Sequence, residues 1–244
     1  MISLTNIVKR YKMGEEEFKA LDGVDLEIQR NEYVALIGPS GSGKSTLMNL
    51  LGCLDTPSEG KYVLNGRDTS TMDDNDLAKV RNQEIGFIFQ SFHLLPRMTV
   101  LQNVMQPLVY RGIPKAERVK MASEALDKVG LSHRMGHRPN QLSGGQQQRV
   151  AIVRALMAQP ALVLADEPTG NLDSQTADSI FNLLRQINQE DGTAFLIVTH
   201  DVHLASRCDR QLTLKDGALI SDTYNPHSSS LPQGEGVPPV GELE

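Results

Sequence analysis

Short apolar runs and helical stretches alternate along most of the chain. Four compact apolar runs, each bounded by polar or turn residues, are typical of strands that are buried on both faces, as in a parallel sheet covered by helices. They are Tyr33–Ile37, Ile85–Phe89, Leu162–Ala165 and Phe195–Val198. Three further β-rich segments near the N-terminus are Leu4–Val8, Val24–Ile28 and Tyr62–Leu64. The pattern predicts an α/β domain with a mostly parallel sheet.

A long helical segment without β-rich runs separates the second and third of the compact runs. It begins with the capping-box pair Thr99 and Gln102, and the same spacing recurs at Ser143 and Gln146 before another predicted helix. We therefore expect a helical subdomain over about 99–158, inserted into the α/β core.

Composition narrows the class of protein. The chain has 244 residues, of which 39% are hydrophobic, and this is typical of a globular domain with a sizeable core. The formal charge of -6 argues against a dedicated nucleic-acid binder, whose surface would be basic. Half of residues 225–244 are Pro, Gly or Ser, so we expect one domain over 1–224 and a disordered tail. Cys53 and Cys208 fit no zinc spacing and are expected in the core.

A glycine-rich loop follows the first compact run. Gly38–Ser45 reads GPSGSGKS and fits the phosphate-binding pattern G-x-x-x-x-G-K-[ST], between a predicted strand and a predicted helix as that pattern requires. Glycines let backbone N–H groups turn towards phosphate oxygens, and the helix adds the positive end of its dipole. Lys44 would reach the β- and γ-phosphates, and Ser45 would coordinate Mg²⁺. The sequence thus predicts a nucleoside-triphosphate site.

Two carboxylates, Asp166 and Glu167, end the third compact run. In an open α/β sheet, ligands lie beyond the carboxyl ends of the strands. Asp166 is therefore expected to hold Mg²⁺, directly or through water, and Glu167 is the candidate base for an attacking water. The alternative is an ordinary polar strand end, which the nearby phosphate loop makes less favourable.

The segment Ser143–Gln146 has two explanations. Ser143 and Gln146 form a helix cap by themselves. Two glycines at a helix N-terminus also expose backbone N–H groups, which is a ready site for an anion. The spacing does not show which anion binds, or from which chain it comes.

Together the motifs resemble those of the ATP-binding-cassette (ABC) ATPases, over about residues 2–222. In the order of that family, the chain carries the phosphate loop, a Q-loop at Gln90, the signature LSGGQ at Leu142–Gln146, the acidic pair, a D-loop at Asn171–Asp173 and a switch histidine at His200. Tyr11 stands where the family often places an aromatic residue that stacks on adenine. The resemblance implies a P-loop NTPase core with an N-terminal antiparallel β subdomain and an inserted helical subdomain.

The resemblance also implies a mechanism in which two copies of the cassette sandwich two ATP molecules with Mg²⁺. Within one chain, the nucleotide contacts would be Tyr11, Gly38, Pro39, Ser40, Gly41, Ser42, Gly43, Lys44, Ser45 and Thr46. The facing chain would contribute Ser143, Gly144, Gly145, Gln146 and, at the interface, Asp173. The Mg²⁺ contacts would be Ser45, Gln90 and Asp166. The catalytic roles would fall to Lys44, Gln90, Glu167 and His200.

Three stretches, residues 87–96, 142–156 and 166–174, resemble the branch of the family that contains the lipoprotein-releasing ATPase LolD and the macrolide exporter MacB. This branch implies a motor at the cytoplasmic face of the inner membrane, which drives a separate permease for export or extrusion, in some cases with a periplasmic adaptor and an outer-membrane duct. Two alternatives remain open. The cassette could regulate a permease-like complex in cell-wall hydrolysis or peptide sensing, or it could be a soluble ABC ATPase that acts on DNA or ribosomes.

An apolar cluster follows Gln90 and has two explanations of equal weight. It consists of Phe92, Leu94, Leu95 and Met98. These side chains either pack between the core and the helical segment or form a groove for a short helix of the permease.

Overall fold

The computed structural model of this protein describes residues 1–14 and 16–225. Its strands are β1 (Ile2–Met13), β2 (Glu16–Ile28), β3 (Tyr33–Ile37), β4 (Glu59–Leu64), β5 (Arg67–Asp68), β6 (Ile85–Phe89), β7 (Leu162–Asp166), β8 (Ala194–Val198), β9 (Arg210–Lys215) and β10 (Ala218–Tyr224). Its α-helices are α1 (Lys44–Leu51), α2 (Asp74–Glu84), α3 (Val100–Tyr110), α4 (Lys115–Lys128), α5 (Gly144–Leu156), α6 (Ser174–Asp191) and α7 (Val202–Ser206).

The strands form two sheets of different kinds. An antiparallel sheet of four strands has the order β2-β1-β4-β5 and comes from the N-terminal part of the chain. A sheet of six strands has the order β10-β9-β3-β8-β7-β6 and is parallel except for the edge strand β10. The predicted α/β class with a mostly parallel sheet is confirmed. The segments after β3, β6, β7 and β8 lie at one edge of the sheet, because parallel strands end on the same side.

The central strands are buried as their composition predicts. The strand residues Val34, Leu164 and Leu196 pack towards α1 and the antiparallel sheet, whereas Ala35 and Ile197 pack towards α6. All five residues are fully buried. Both faces of the sheet are therefore covered, which explains why the compact runs show no alternation of polar and apolar residues.

Helices α3, α4 and α5 share a third apolar cluster, whose buried members include Val104, Leu126 and Val150. Both predicted capping boxes are present, at Thr99 before α3 and at Ser143 before α5. Helix α5 also faces the main sheet, because Ile152 belongs to the cluster beneath α6. A single helix therefore packs against both the sheet and the other helices.

The sequence pattern missed the hairpin of β9 and β10. The dipeptide Asp216-Gly217 joins these strands, and both residues have positive φ angles (48° and 80°), as a tight hairpin turn requires. An Asp-Gly dipeptide between two runs of alternating apolar and polar residues is typical of a β-hairpin turn, so the sequence does carry a signal for it. The two cysteines are buried, as expected.

The C-terminal prediction concerns mostly residues that the structure does not describe. Asn225, the first residue of the predicted tail, donates its backbone N–H to Asp209 O at 2.7 Å and its side-chain amide to Ser206 O at 2.6 Å. The predicted disorder of residues 226–244 lies outside the described residues. Across 1–14 and 16–225, no helix combines the length and the apolar character that crossing a bilayer requires.

Candidate nucleotide-binding site

The loop between β3 and α1 depends on glycine for its shape. Gly38, Gly41 and Gly43 have φ angles of 153°, 78° and 103°. A Cβ atom at Gly38 would lie 2.1 Å from Leu214 O, and one at Gly43 would lie 2.6 Å from Ala20 O. The loop backbone therefore packs directly on neighbouring strands, where any other residue would force the backbone apart.

Helix α1 begins without a side-chain cap, because its N-cap residue is Gly43. The backbone N–H groups of the first turn are consequently available to an anion. Lys44 Nζ donates to Gly38 O and Pro39 O, both at 2.8 Å, so its ammonium lies over the loop. Ser42 Oγ is buried and has no hydrogen-bond partner among the described residues. The loop thus presents donors of the kind that bind phosphate oxygens.

The acidic pair lies at the end of β7. Asp166 is half-buried, and its pKa is raised, first by desolvation and then by the adjacent carboxylate of Glu167, while Lys44 and His93 oppose the rise. A cation next to Asp166 would relieve both causes. The described residues contain no group of three or more His, Cys, Asp or Glu that could hold a metal. A cation here would need hydroxyl, amide, water or phosphate oxygens as its other ligands, and this preference suits Mg²⁺.

Glu167 is held by the end of the neighbouring strand β8. Its carboxylate accepts hydrogen bonds from the backbone N–H of His200 at 2.9 Å and from Thr199 Oγ1 at 3.3 Å. The ring atom His200 Nδ1 lies 2.7 Å from Glu167 Oε1, and this contact raises the pKa of His200. Glu167 itself has a φ of 44°, and its N–H donates to Val198 O at 2.9 Å. The predicted base and the predicted switch histidine are therefore in direct contact.

The Q-loop and the D-loop are tied together. Gln90 Nε2 donates to Asn171 Oδ1 at 3.4 Å, and Asn171 Nδ2 donates to Gln90 O at 3.1 Å. A Cβ atom at Gly170 would lie 2.5 Å from Gln90 Nε2, so the absence of a side chain at Gly170 makes room for the Gln90 amide. Asp173 caps α6 by accepting from the N–H of Thr176 at 3.0 Å. Hydrogen bonds from Thr176, first from its side chain and then from its N–H, lower the pKa of Asp173.

The signature motif Leu142–Gln146 lies beside the D-loop and α6 of the same chain. Ser143 Oγ accepts from the N–H of Gln146 at 3.3 Å, and Gln146 Oε1 accepts from the N–H of Ser143 at 3.0 Å. A Cβ atom at Gly144 would lie 3.2 Å from Leu172 Cδ2, and one at Gly145 would lie 2.5 Å from Thr176 Cγ2. The two glycines thus allow a close approach to the elements that follow the acidic pair.

Tyr11 is oriented by two residues that the sequence pattern did not single out. Its hydroxyl donates to Asp55 Oδ2 at 2.8 Å, and Lys9 Nζ lies 2.5 Å from Asp55 Oδ1. The Lys9 ammonium also lies over the Tyr11 ring, 5.0 Å from its centroid. Burial, followed by the hydrogen bond to Asp55, raises the pKa of Tyr11. No local motif joins these residues, since Asp55 lies 44 positions after Tyr11.

Helix α5 supplies two further residues whose contacts the sequence analysis missed. Gln148 Nε2 donates to Pro168 O at 2.5 Å, next to the acidic pair. Arg154 donates to the carbonyl oxygens of Phe92 and His93, at 2.9 and 2.6 Å. Both residues lie within predicted helix, and their long-range partners left no signal in the sequence pattern.

Comparison with known proteins shows the family to which the chain belongs. A family model described as ABC transporter matches residues 21–170, which is more than half of the chain. The chain belongs to the ABC transporter ATP-binding family. It is an ATP-binding cassette with an ATPase site, and the predicted family is confirmed.

The relatives of this cassette include free-standing and fused proteins. The ABC transporter ATP-binding protein YknY of Bacillus subtilis (strain 168) is 50% identical over 220 residues, which cover 90% of this chain and 95% of that protein. The macrolide export ATP-binding/permease protein MacB of Shewanella sp. (strain ANA-3) is 47% identical over 240 residues, or 98% of this chain and 36% of MacB. The cassette therefore spans about a third of its MacB relatives.

A solved structure supports the same assignment. The cassette MJ0796 of Methanocaldococcus jannaschii, in a dimeric post-hydrolysis state bound to ADP and Pi, aligns with a TM-score of 0.85 and 46% identity. The alignment covers 93% of this chain and all of that chain. The cassette fold, including the antiparallel N-terminal sheet, is confirmed.

Proposed function

We propose that this cassette is the ATP-hydrolysing motor subunit of a bacterial transporter, that it acts as a pair of copies, and that it drives a separate membrane permease. The observation that carries the hydrolytic part is the position of Glu167. Its carboxylate is fixed by Thr199 and His200 at the edge of the sheet where the phosphate loop also lies.

The residues of one chain divide the chemical work. The phosphate loop 38–46 binds the phosphates through backbone N–H groups, and Lys44 moves from its own loop carbonyls to the β- and γ-phosphates. Glu167 accepts a proton from the attacking water, and His200 orients that carboxylate and contacts the γ-phosphate. Tyr11 stacks on adenine with the ring face that Lys9 leaves open.

Mg²⁺ fits the donor set of this site. Asp166 offers a carboxylate whose raised pKa a cation would reverse, and Ser45 and Gln90 offer a hydroxyl and an amide oxygen. When bound, the ion neutralises charge on the phosphates during transfer. The amide of Gln90 already contacts Asn171, so this side chain can link the site to the D-loop.

The second copy of the cassette completes the site. Ser143, Gly144, Gly145 and Gln146 present a helix N-terminus to the nucleotide bound on the facing chain, and Asp173 lies at the interface. The dimeric MJ0796 structure supports this arrangement. ATP binding then closes the pair, and hydrolysis releases it.

A cleft next to the Q-loop is the proposed docking place for the permease. Its volume is about 1270 Å³, and it lies between β6, α2, α3 and α5, with Phe89, His93, Tyr110 and Arg154 among its lining residues. The Tyr110 side chain is 78% exposed. Such a cleft suits a short amphipathic helix.

The apolar cluster after Gln90 does not itself line this cleft. Leu94 packs on the cluster shared by α3, α4 and α5, and Met98 Sδ accepts from Gln106 Nε2 at 3.2 Å. Phe92 is half-buried, and Leu95 is the most exposed of the four at 43%. Leu94 thus packs within the helical cluster, and the proposed docking surface is formed by neighbours of these four residues.

The MacB relatives support a transport role, because their names join an ATP-binding part to a permease. We place the cassette at the cytoplasmic face of the inner membrane, bound through its permease. The transported class is exported drugs, lipoproteins or antimicrobials, with an adaptor and an outer-membrane duct as further partners.

The hydrolytic part is tested with Glu167→Gln. We expect the variant to bind ATP normally, to lose ATP turnover by at least about a hundredfold, and to accumulate as ATP-bound dimers, because the amide cannot accept the proton. Nucleotide binding by equilibrium titration, phosphate release and size-exclusion chromatography measure these properties. Turnover within a few-fold of the unaltered chain would remove Glu167 as the base.

The permease part is tested with the same variant as bait. Tagged Glu167→Gln with ATP and Mg²⁺ should capture, from detergent-solubilised membranes of the source cell, a protein with few membrane spans and a large extracytoplasmic domain. Adding Tyr110→Glu in the cleft should abolish capture, whereas Phe18→Glu, at a side chain that is 54% exposed on β2, should not. Clean ATP-bound dimers without a membrane protein would contradict the motor assignment and favour a soluble ATPase.

A further inference from the structure

Two consecutive residues of the Q-loop are held in an unfavourable backbone conformation. Phe92 and His93 have φ angles of 60° and 46°, although neither is glycine. Left-handed backbone is unfavourable for residues that carry a side chain, so surrounding contacts must maintain it. The His93 ring lies against the Phe89 ring at a tilt of 32°, with a centroid distance of 4.5 Å, and this contact fixes one side of the turn.

Arg154 of helix α5 fixes the other side. Nη1 donates to His93 O at 2.6 Å, and Nη2 donates to Phe92 O at 2.9 Å, so the guanidinium binds the two left-handed residues as a fork. Burial alone lowers the pKa of Arg154, and no carboxylate of the described residues offsets this effect. The described hydrogen-bond partners of this half-buried guanidinium are two neutral carbonyls. Burying its charge is therefore energetically unfavourable.

The clamped residues begin two positions after Gln90. The side chain of Gln90 is bonded to Asn171 and passes over Gly170, as described above. The Q-loop is therefore anchored twice, to the D-loop through Gln90 and to α5 through the carbonyls of Phe92 and His93. Helix α5 thus has two roles. Its N-terminal end carries the signature motif, and Arg154, near its C-terminal end, binds the Q-loop.

We propose that Arg154 is a positioning residue for Gln90, which sets where the Gln90 amide lies relative to the Mg²⁺ site. This inference rests on the proposed role of Gln90. Arg154 and His93 also line the cleft next to the Q-loop. A helix that docks in the cleft would therefore contact the residues that form the two hydrogen bonds from Arg154 to the Q-loop carbonyls, and through them affect the position of Gln90.

A double-mutant cycle tests the proposal. Arg154→Met removes both hydrogen bonds and keeps the apolar stem, and Gln90→Ala removes the amide. We expect each single variant to lower kcat about tenfold, with KM for ATP within twofold. Each should also need a several-fold higher Mg²⁺ concentration for half-maximal nucleotide binding, measured by titration without turnover. The double variant should be no slower than Gln90→Ala, since the two changes remove the same contribution.

Two further variants separate positioning from stability. Arg154→Lys keeps the charge but has no planar fork, and it should recover only part of kcat. Arg149→Met is the matched control on the same helix, because Arg149 donates to Ser179 Oγ at 2.9 Å, away from the Q-loop. It should change kcat by less than twofold. Thermal unfolding of every variant shows whether each is folded. If Arg154→Met does not fold, Arg154→Lys takes its place in the double-mutant cycle.

Multiplicative losses of kcat in the double variant would overturn the proposal, because Arg154 would then act independently of Gln90. An unchanged Mg²⁺ requirement in folded Arg154→Lys with reduced kcat would do the same. A Gln90→Ala variant with normal kcat would instead remove the proposed role of Gln90, and with it this inference, while leaving the result for Glu167→Gln intact.

Discussion

Two glycine-rich helix N-termini in this molecule differ in how the backbone N–H groups of their first turn are satisfied. At the phosphate loop, α1 begins at left-handed Gly43 with no side-chain cap, so the N–H groups of residues 43–46 have no partner within the helix. At the signature motif, α5 begins at Ser143 with a complete capping box, which satisfies the N–H groups of Ser143 and Gln146. The donors left over there are the N–H groups of Gly144 and Gly145.

This difference suggests that the phosphate loop and the signature motif have different roles. Four open N–H groups and the Lys44 ammonium make the phosphate loop the main anchor for a triphosphate within one chain. Two open N–H groups and one hydroxyl proton make the signature a weaker site. Ser143 Oγ accepts from Gln146, yet its own proton remains free to donate. We expect the loop to determine nucleotide affinity and the signature to determine ATP-dependent closure of the dimer.

The largest effect should follow from filling the phosphate loop. Gly43→Ala places a Cβ atom 2.6 Å from Ala20 O at a φ of 103°, so the loop must open and ATP affinity should fall by more than about a hundredfold. Gly41→Ala is the control for backbone strain, because its φ of 78° is also left-handed but nothing lies within 4 Å of its Cβ position, so it should lose less affinity. Equal nucleotide binding by both variants, measured by titration, would contradict the dependence of the loop on Gly43.

Removing the loop cation should have the next largest effect. Lys44→Ala deletes the charge at the β- and γ-phosphates and two hydrogen bonds to the loop, so ATP affinity should fall roughly tenfold to a hundredfold. ADP lacks the γ-phosphate and should lose less affinity than ATP. Normal ATP affinity in calorimetry would count against the assignment of the loop.

At the signature, the expected loss is in closure and not in affinity. Gly145→Ala places a Cβ atom 2.5 Å from Thr176 Cγ2, which should displace the helix N-terminus and lower kcat about tenfold. Nucleotide affinity of the isolated chain should stay within twofold. Adding Thr176→Ser removes the clashing methyl group. In the Glu167→Gln background, this change should restore part of the ATP-dependent dimer that is expected there. A loss of monomer affinity equal to that of Lys44→Ala would erase the distinction between the two N-termini.

The smallest expected effects concern Ser143, which can act both as the N-cap of α5 and as a hydrogen-bond donor to the nucleotide. Gln146→Ala removes half of the capping box and should cost about 1 kcal/mol or less of stability. Ser143→Ala removes the cap and also the free proton, so its kcat should fall several-fold below that of Gln146→Ala. Thermal unfolding and phosphate release, measured side by side, test this ordering. Identical kcat values would mean that Ser143 acts only as a cap.

Local patterns predicted the parts of the fold that depend on local physics. The buried strands follow from compact apolar runs, and both capping boxes follow from four-residue spacings. Asn31, with a φ of 62°, occupies a left-handed turn that asparagine tolerates. The hairpin turn at Asp216 and Gly217 has an equally local signal, which is the Asp-Gly dipeptide itself.

The remaining parts depend on contacts between distant segments. Arg154 reaches residues 61 and 62 positions away, and Asp55 reaches Tyr11 across 44 positions. No periodicity marks such pairs. The positive φ angles of Phe92 and His93 are equally hidden, because tertiary contacts impose them on residues that do not favour them. The nucleotide contacts themselves stay predictions, and the experiments above test them.

The buried thiols have a practical consequence. Cys53 and Cys208 are 2% and 0% exposed, and burial raises their pKa values to about 11 and about 12. At neutral pH the reactive thiolate is therefore on the order of 10⁻⁴ of each or less. Maleimide dyes should not label the unaltered chain. A single cysteine introduced at the surface, for example at Ser91 within the Q-loop, would carry the only fluorophore and report movement of that loop as ATP binds.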